Sequence, residues 1–221
     1  MVEIDTTEYK INFWWTKYIV WPDEQGYIYK YFKNDWKFKT YPIEEQNNII
    51  EKKKKYIWRF IPETELIKTE GDSYCIKQKY IEWKLLKSTD INQLDEQTLS
   101  ELLDLIDWYI SYCKNEWKEI DTIWCQHDIY GFENVRKRRF FVYSRFLKGF
   151  LSSTNIIISN NNKVYMVDVC DIIPPDDISK IDKIKQTVKQ AICKLWAKIS
   201  KQKVSRLLKE KRKDLYKTLS K

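Results

Sequence analysis

Histidine occurs once in the 221 residues, at His127, glycine four times and methionine twice. A single histidine excludes mechanisms that need several, such as zinc-dependent hydrolysis by a multi-histidine site. The cysteines, at 75, 113, 125, 170 and 193, are odd in number and widely spread, with no CxxC pair. That pattern supports neither a disulfide framework nor a zinc site, so free buried thiols are expected. No apolar run approaches the roughly 18 residues that a membrane span requires. The opening stretch MVEIDTTEYK lacks the basic and apolar regions of a secretory signal, and a cytoplasmic location is expected. With so few glycines, those at 26, 71, 131 and 149 are each expected to mark a turn. There is no internal repeat and no low-complexity linker.

What the chain does have is core-forming material. Hydrophobic residues make up 43% and aromatic residues 15%, enough for one large domain or two small lobes. Charged residues, at 33%, are interspersed with the aromatics, which suits a folded protein with a charged surface. The ten tryptophans are unusual for this length, and most are expected in the core. The net charge of +8 is unevenly spread: Ser179 to Lys221 carries 15 Lys/Arg against three acids, a charge of +12, so the first 178 residues sum to −4. The basic character belongs to the C-terminal segment.

The patterning gives an order of elements. "KYIVW" and "GYIYKYF" flank "PDEQ", and alternating aromatic and polar residues around a Pro-Asp turn predict a β-hairpin. "YPIEEQNNIIEKKKKYIWRF" predicts a helix with Pro42 in its first turn and Ile43, Ile50 and Ile57 on one face, stopped by Pro62. "TELIKTEGDSYCIKQKYIEW" predicts two strands around Gly71-Asp72. Leu99, Leu102, Leu103, Ile106, Ile110, Cys113 and Trp117 fall on one helical face, with Asp95 or Thr98 as the cap. "ENVRKRRFFVYSRFLKGF" predicts another helix, ended by Gly149, and the runs "KKKK" (52–55) and "RKRR" (136–139) are expected on solvated helix faces. Beyond Pro174-Pro175, Ile181, Ile184, Val188, Ile192, Leu195, Trp196 and Ile199 predict an amphipathic helix packed on the protein, followed by a more charged helical tail. The predicted class is α+β: residues 1–82 a β-rich part with one helix, 83–200 a mainly helical part carrying a β-hairpin, and 201–221 a basic helical tail.

The hairpin lies in "STNIIISNNNKVYMVDVCDIIP". Asn155 opens one short apolar run, a polar turn follows, and a second run ends in Asp168. Taken alone, Asn155 is an ordinary strand-opening residue. A carboxylate ending an apolar strand calls for a partner. Two oxygen donors on adjacent strand ends can bridge Mg²⁺ to nucleotide phosphates, since Mg²⁺ is usually held by one or two side chains together with phosphate and water.

In this order and in these stretches the chain resembles the protein-kinase-like fold, most of all its small bacterial members: the PhoP-regulated YrbL family and the lipopolysaccharide-core sugar kinases. The resemblance covers residues 17 to 200. "KGFLSSTNIII" resembles the catalytic loop, with Asn155 as its metal-holding Asn, and "KVYMVDVCD" resembles the strand entering the metal-binding triplet, here Asp168-Val169-Cys170. Asp171, in "CDIIP", is the alternative ligand. "GYIYKYF" resembles the strand carrying the phosphate-binding lysine, which makes Lys30 that residue; Glu45, with Glu44 and Glu51 as alternatives, is its expected partner. "YCIKQKYIEWKLL" resembles the strand running into the hinge, where the backbones of Lys79 and Ile81 would meet adenine. The resemblance thus implies a bilobal fold, with ATP and Mg²⁺ as ligands.

The chain also departs from the family pattern. Phe150 stands where the proton-accepting Asp belongs, and a phenyl ring cannot act as a base. Trp14, Trp15 and Lys17 stand where a Gly-rich loop would approach the phosphates, and Cys170 replaces the triplet's Gly. A second frame, "QHDIYGFEN" with His127, Asp128 and Asn134, echoes a catalytic loop with each spacing off by one. The expected function is a kinase-fold protein with a degraded site: a pseudokinase or a divergent ATP-dependent phosphotransferase. The alternative is a non-catalytic binding protein whose basic C-terminal helix contacts nucleic acid or an acidic protein. If the resemblance is accidental, Lys30 should lie far from Asp168.

Overall fold

The computed structural model describes residues 12–13, 17–20, 22–32, 39–69, 73–115, 149–153, 155–168, 172–173 and 180–219. The class is α+β, with small antiparallel sheets and three α-helices among the described residues. Strands β1 (Asn12–Phe13), β2 (Lys17–Val20), β3 (Tyr27–Phe32), β5 (Thr64–Lys68) and β6 (Tyr74–Lys79) form an antiparallel sheet in the order β1-β2-β3-β6-β5. Both predicted hairpins of this part are present. In the first, Asp23 closes the turn: its carboxylate accepts the N–H groups of Gln25 (3.0 Å) and Tyr27 (2.8 Å) and the Tyr29 hydroxyl (2.8 Å). These bonds, led by that from the Tyr27 N–H, hold the Asp23 carboxyl below its ordinary range. Gly26, at φ 77°, supplies the left-handed residue that the turn needs.

Helix α1 (Ile43–Ile57) starts right after Pro42, whose missing N–H costs nothing at a helix start, and a short 3₁₀ turn, Trp58–Phe60, follows before Pro62. Ile50 and Ile57 are buried, as their spacing predicts. The lysine run does not form a uniformly solvated face. Lys53 is 1% exposed, because it shares the inward face with Gln46, Ile50 and Ile57, while Lys52 and Lys55 remain in solvent. Strand β4 (Lys39–Thr40), just ahead of α1, pairs with β10 (Ile172–Ile173), which ties the chain beyond the hairpin of residues 156–166 back to the first part.

Strand β7 (Trp83–Leu85) leaves the first sheet and pairs with β8 (Ile156–Ser159), which pairs in turn with β9 (Val164–Met166). The β8–β9 turn uses Asn162 at φ 63°, a left-handed position that Asn tolerates better than most residues. Helix α2 (Glu96–Asn115) is capped by Asp95, whose Oδ1 accepts the Thr98 N–H at 2.7 Å. Asn162 of the hairpin turn donates to the other oxygen of the same carboxylate, and its carbonyl accepts the Thr98 hydroxyl at 3.3 Å. One aspartate therefore fixes both the helix start and the hairpin tip. Asp95→Ala should cost about 1 kcal/mol, which in a domain of this size lowers Tm by about 2–4 °C in a thermal melt followed by circular dichroism.

The main core lies under α2. Leu99, Leu102, Ile106 and Cys113 are buried as predicted, joined by Leu105, Tyr109 and Tyr112. Helix α3 (Lys180–Leu219) is a single helix of 40 residues, about 60 Å long, with no break near residue 200 where a separate tail was expected. It runs antiparallel to α2: Lys201 pairs with Asp107 (2.6 Å) and Arg212 with Glu96 (2.7 Å). Its buried face is Trp196, Ala197, Ser200, Val204 and Leu208. This corrects the predicted face, of which Ile184, Val188, Leu195 and Ile199 are exposed. Of the four tryptophans whose burial is described, Trp196 is buried, and Trp58 (67% exposed), Trp83 and Trp108 face solvent. Among the described residues no helix is long and apolar enough to cross a membrane. Trp14, Trp15, His127, Asp128, Asn134, the run 136–139 and the helix predicted from it lie outside the described residues.

Candidate functional site

Lys30 sits in the middle of β3, opposite Ile19 of β2 and Ile76 of β6. Alternation along "YIYKYF" sends the tyrosines to one face of the sheet and Ile28 and Lys30 to the other. The consequence is a lysine only 6% exposed, although lysines are almost never fully buried without a partner. Its Nζ donates to Gln78 Oε1 at 2.6 Å and to the Val167 carbonyl at 2.6 Å. Gln78, on β6, shares the inward face because it lies two residues on from Ile76, the cross-strand partner of Lys30. Its orientation is fixed from behind: Gln78 Nε2 donates to Thr64 Oγ1 (2.9 Å), and that hydroxyl donates to the Pro62 carbonyl (2.6 Å). The amide oxygen is thereby aimed at the ammonium.

The Val167 carbonyl joins this arrangement to the hairpin mouth. Val167 directly precedes Asp168, and its N–H donates to the Asn155 carbonyl at 2.9 Å. Asn155 is held on its other side by a bond from its N–H to Ser153 Oγ at 3.1 Å. Asn155 is 7% exposed and Asp168 is half-buried. One residue, Val167, therefore contacts the lysine through its C=O and Asn155 through its N–H. Lys30, distant in sequence, and Asn155 thus meet at the residue next to Asp168, so Lys30 does not lie far from Asp168.

The remaining candidates are placed differently. Glu45, the expected partner of Lys30, is exposed in the first turn of α1, as is Glu44, and Glu51 pairs with Lys54 at 2.7 Å. One acceptor beside Lys30 is the neutral Gln78. Gln78 and Thr64 were not singled out from sequence. The available signal was a glutamine at an inward position of "YCIKQK", in phase with buried Tyr74 and Ile76. Lys79 is exposed; its N–H donates to the Glu63 carbonyl (2.8 Å) and its Nζ to the Gln25 carbonyl (2.8 Å). Ile81 is half-buried between β6 and β7. Asp171 lies outside the described residues.

Phe150 is fully buried in the 3₁₀ turn Gly149–Ser152, edge-on to Tyr109 of α2 with centroids 5.0 Å apart. The ring therefore fills core space beneath α2. On the outer face of β3, burial first of all pushes the Tyr29 and Tyr31 phenols up to about 12, so both stay protonated at neutral pH. Neither is a base.

Among the described residues no three His, Cys, Asp or Glu side chains gather as a metal site. One amide and one carboxylate suit Mg²⁺ held mainly by phosphate oxygens and water, and do not suit a cage made only of protein ligands. The arrangement offers a buried cation and, at a strand mouth, an amide and a carboxylate as oxygen donors. No protein-family model matches the chain, and none of the curated proteins is similar to it.

Proposed function

We propose that the protein is a kinase-fold nucleotide binder of pseudokinase type, which holds ATP with Mg²⁺ at the mouth of the β8–β9 hairpin. The observation that carries this reading is the Lys30 Nζ contact with the Val167 carbonyl, one residue before Asp168. A buried ammonium beside two strand-end oxygen donors matches the charge of a metal–polyphosphate. Lys30 would meet phosphate oxygens, Asn155 and Asp168 would hold the metal, and the backbone between Lys79 and Ile81 would face the base. Bound Mg²⁺ would neutralise phosphate charge. The protein's own part is to fix position: Gln78 and Thr64 orient the lysine, and the Val167–Asn155 bond sets the spacing of the two donors.

Phe150 argues against base-assisted transfer, because the position is buried in the core and carries no proton acceptor. The test is a thermal-shift titration with ATP, with and without Mg²⁺, on the wild type and Asp168→Ala. A ligand specific to the native state stabilises by about 2.7 kcal/mol at one hundred times its Kd. The expected result is a Mg²⁺-dependent rise in Tm that Asp168→Ala abolishes. No shift at millimolar nucleotide, with the fold intact, would remove this reading.

A further inference from the structure

Helix α3 presents apolar side chains on two faces. One is buried against the core through Trp196, Ala197, Val204 and Leu208. On the other, Ile184 is 64% exposed, and Val188, Leu195 and Ile199 are each more than half exposed. At 100° per residue these four, with exposed Ala191, lie within an arc of about 80°, turned away from the buried face. The stripe runs for about 22 Å. Its first part extends past Asn115, the last described residue of α2, as the antiparallel ion pairs place it.

The charge around this stripe has one sign. From Lys183 to Lys209 the helix carries nine Lys/Arg and no acid. Exposed Lys198 flanks the stripe on one side and exposed Lys203 on the other, and the same face continues into exposed Arg206, Lys209 and Lys213. Among the described residues, α2 supplies acid partners for Lys201 and Arg212, as Asp107 and Glu96, on the side that is already packed, and Arg206 has Glu210 of its own helix at 3.8 Å.

We infer that the exposed face of α3 from Ile184 to Ile199 docks an acidic amphipathic helix of another protein. The width of the stripe selects a helix. An arc this narrow is the seam of a helix pair, whereas a helix lying in a membrane surface needs a wide apolar face and commonly aromatic anchors. The one tryptophan of this region, Trp196, is on the buried face. The lysine flanks select the sign of the partner. A second copy would bring lysines against lysines, and like charges beside a seam oppose pairing. An acidic helix buries Ile184, Val188, Leu195 and Ile199 and sets its carboxylates against Lys198 and Lys203. This inference does not depend on the nucleotide site.

The test uses the full chain and a fluorescent 28-residue heptad peptide with Leu at the seam and Glu at the flanking positions. Binding is followed by anisotropy at about 0.15 M salt. The expected result is saturable one-to-one binding that Leu195→Glu and, independently, Val188→Glu each weaken at least tenfold. Both residues are exposed, so unchanged melting curves will show that the fold is intact. A scrambled peptide of the same composition should bind at least tenfold more weakly. Equal binding of the scrambled peptide would overturn the inference in favour of charge attraction alone. Binding to vesicles of 30% phosphatidylserine without binding to the peptide would overturn it in favour of a membrane surface. A dimer in sedimentation that Leu195→Glu dissociates would overturn it in favour of self-pairing.

Discussion

Replacing Phe150 with aspartate will unfold the protein and will not supply a proton acceptor. The substitution puts a carboxyl group where a kinase-like catalytic loop carries one, so by motif alone it should repair the site. The packing predicts the opposite. Phe150 is fully buried and meets Tyr109 edge-on at 5.0 Å, in the same core as Leu102, Leu105 and Ile106. Removing a buried phenylalanine ring costs about 3–5 kcal/mol in transfer and cavity terms. Aspartate adds the cost of a carboxyl group in apolar surroundings, which either ionises without a partner or stays protonated at neutral pH. Against a typical total stability of about 5–15 kcal/mol, Phe150→Asp should give little folded protein at 37 °C. Phe150→Leu, which keeps most of the volume, should fold with a loss of less than about 1.5 kcal/mol. Circular dichroism melts of both variants check this. A Phe150→Asp protein that melts within a few degrees of wild type and transfers phosphate would show that residue 150 faces the hairpin mouth.

The contrast between Phe150 and Asn155 shows what was legible in the sequence. Local patterns carried the hairpins around Pro22-Asp23 and Gly71-Asp72, helix α1 behind Pro42 and the Asp95 cap, because each depends on residues within a few positions of one another. The convergence of Lys30 with the Asn155–Asp168 hairpin was expected only from chain order and resemblance, since periodicity does not report which strand faces which. Gln78 escaped notice for the same reason. A glutamine in a strand is unremarkable until the register sets it diagonally across from Lys30 on the buried face. Glu45 drew attention as an acid on the next helix, but its position in the first turn of α1 leaves it in water.

Helix α3 misled by having two apolar faces. Ile184, Val188, Leu195 and Ile199 make a strong stripe in the sequence, and a strong stripe is ordinarily read as the buried one. The face that packs on α2 is Trp196, Ala197, Ser200, Val204 and Leu208, which includes a serine and an alanine and so scores lower in any hydrophobic pattern. Small residues allow close helix approach, so the packed side need not be the most apolar side. The tryptophans follow a similar logic. Trp58, Trp83 and Trp108 are exposed, while the core under α2 is filled by leucine, isoleucine, tyrosine and Phe150.

Gln78→Leu should be the most damaging single change in the buried polar cluster, and Lys30→Met should partly rescue it. Gln78 gives the Lys30 ammonium one of its acceptors and gives Thr64 Oγ1 a donor. A hydrogen bond to a charged group contributes about 1.5–3 kcal/mol. Gln78→Leu removes that acceptor and leaves the cation in place, with an expected loss of about 2–3 kcal/mol. Lys30→Met removes the donor from Gln78 Oε1 and Val167 O, both neutral acceptors. With both replaced, the charge and its acceptor leave together, and two well-packed apolar side chains can stand in for such a pair at little cost. The double variant should therefore be more stable than Gln78→Leu alone, with a coupling of at least about 1 kcal/mol in a double-mutant cycle. Urea unfolding at unchanged m-value is the measurement. Strictly additive losses would mean that the 2.6 Å contact contributes nothing. The same cycle separates structure from function. If Lys30 is the phosphate-binding cation, the double variant will be folded but will not respond to Mg-ATP, because the apolar pair restores packing without restoring positive charge.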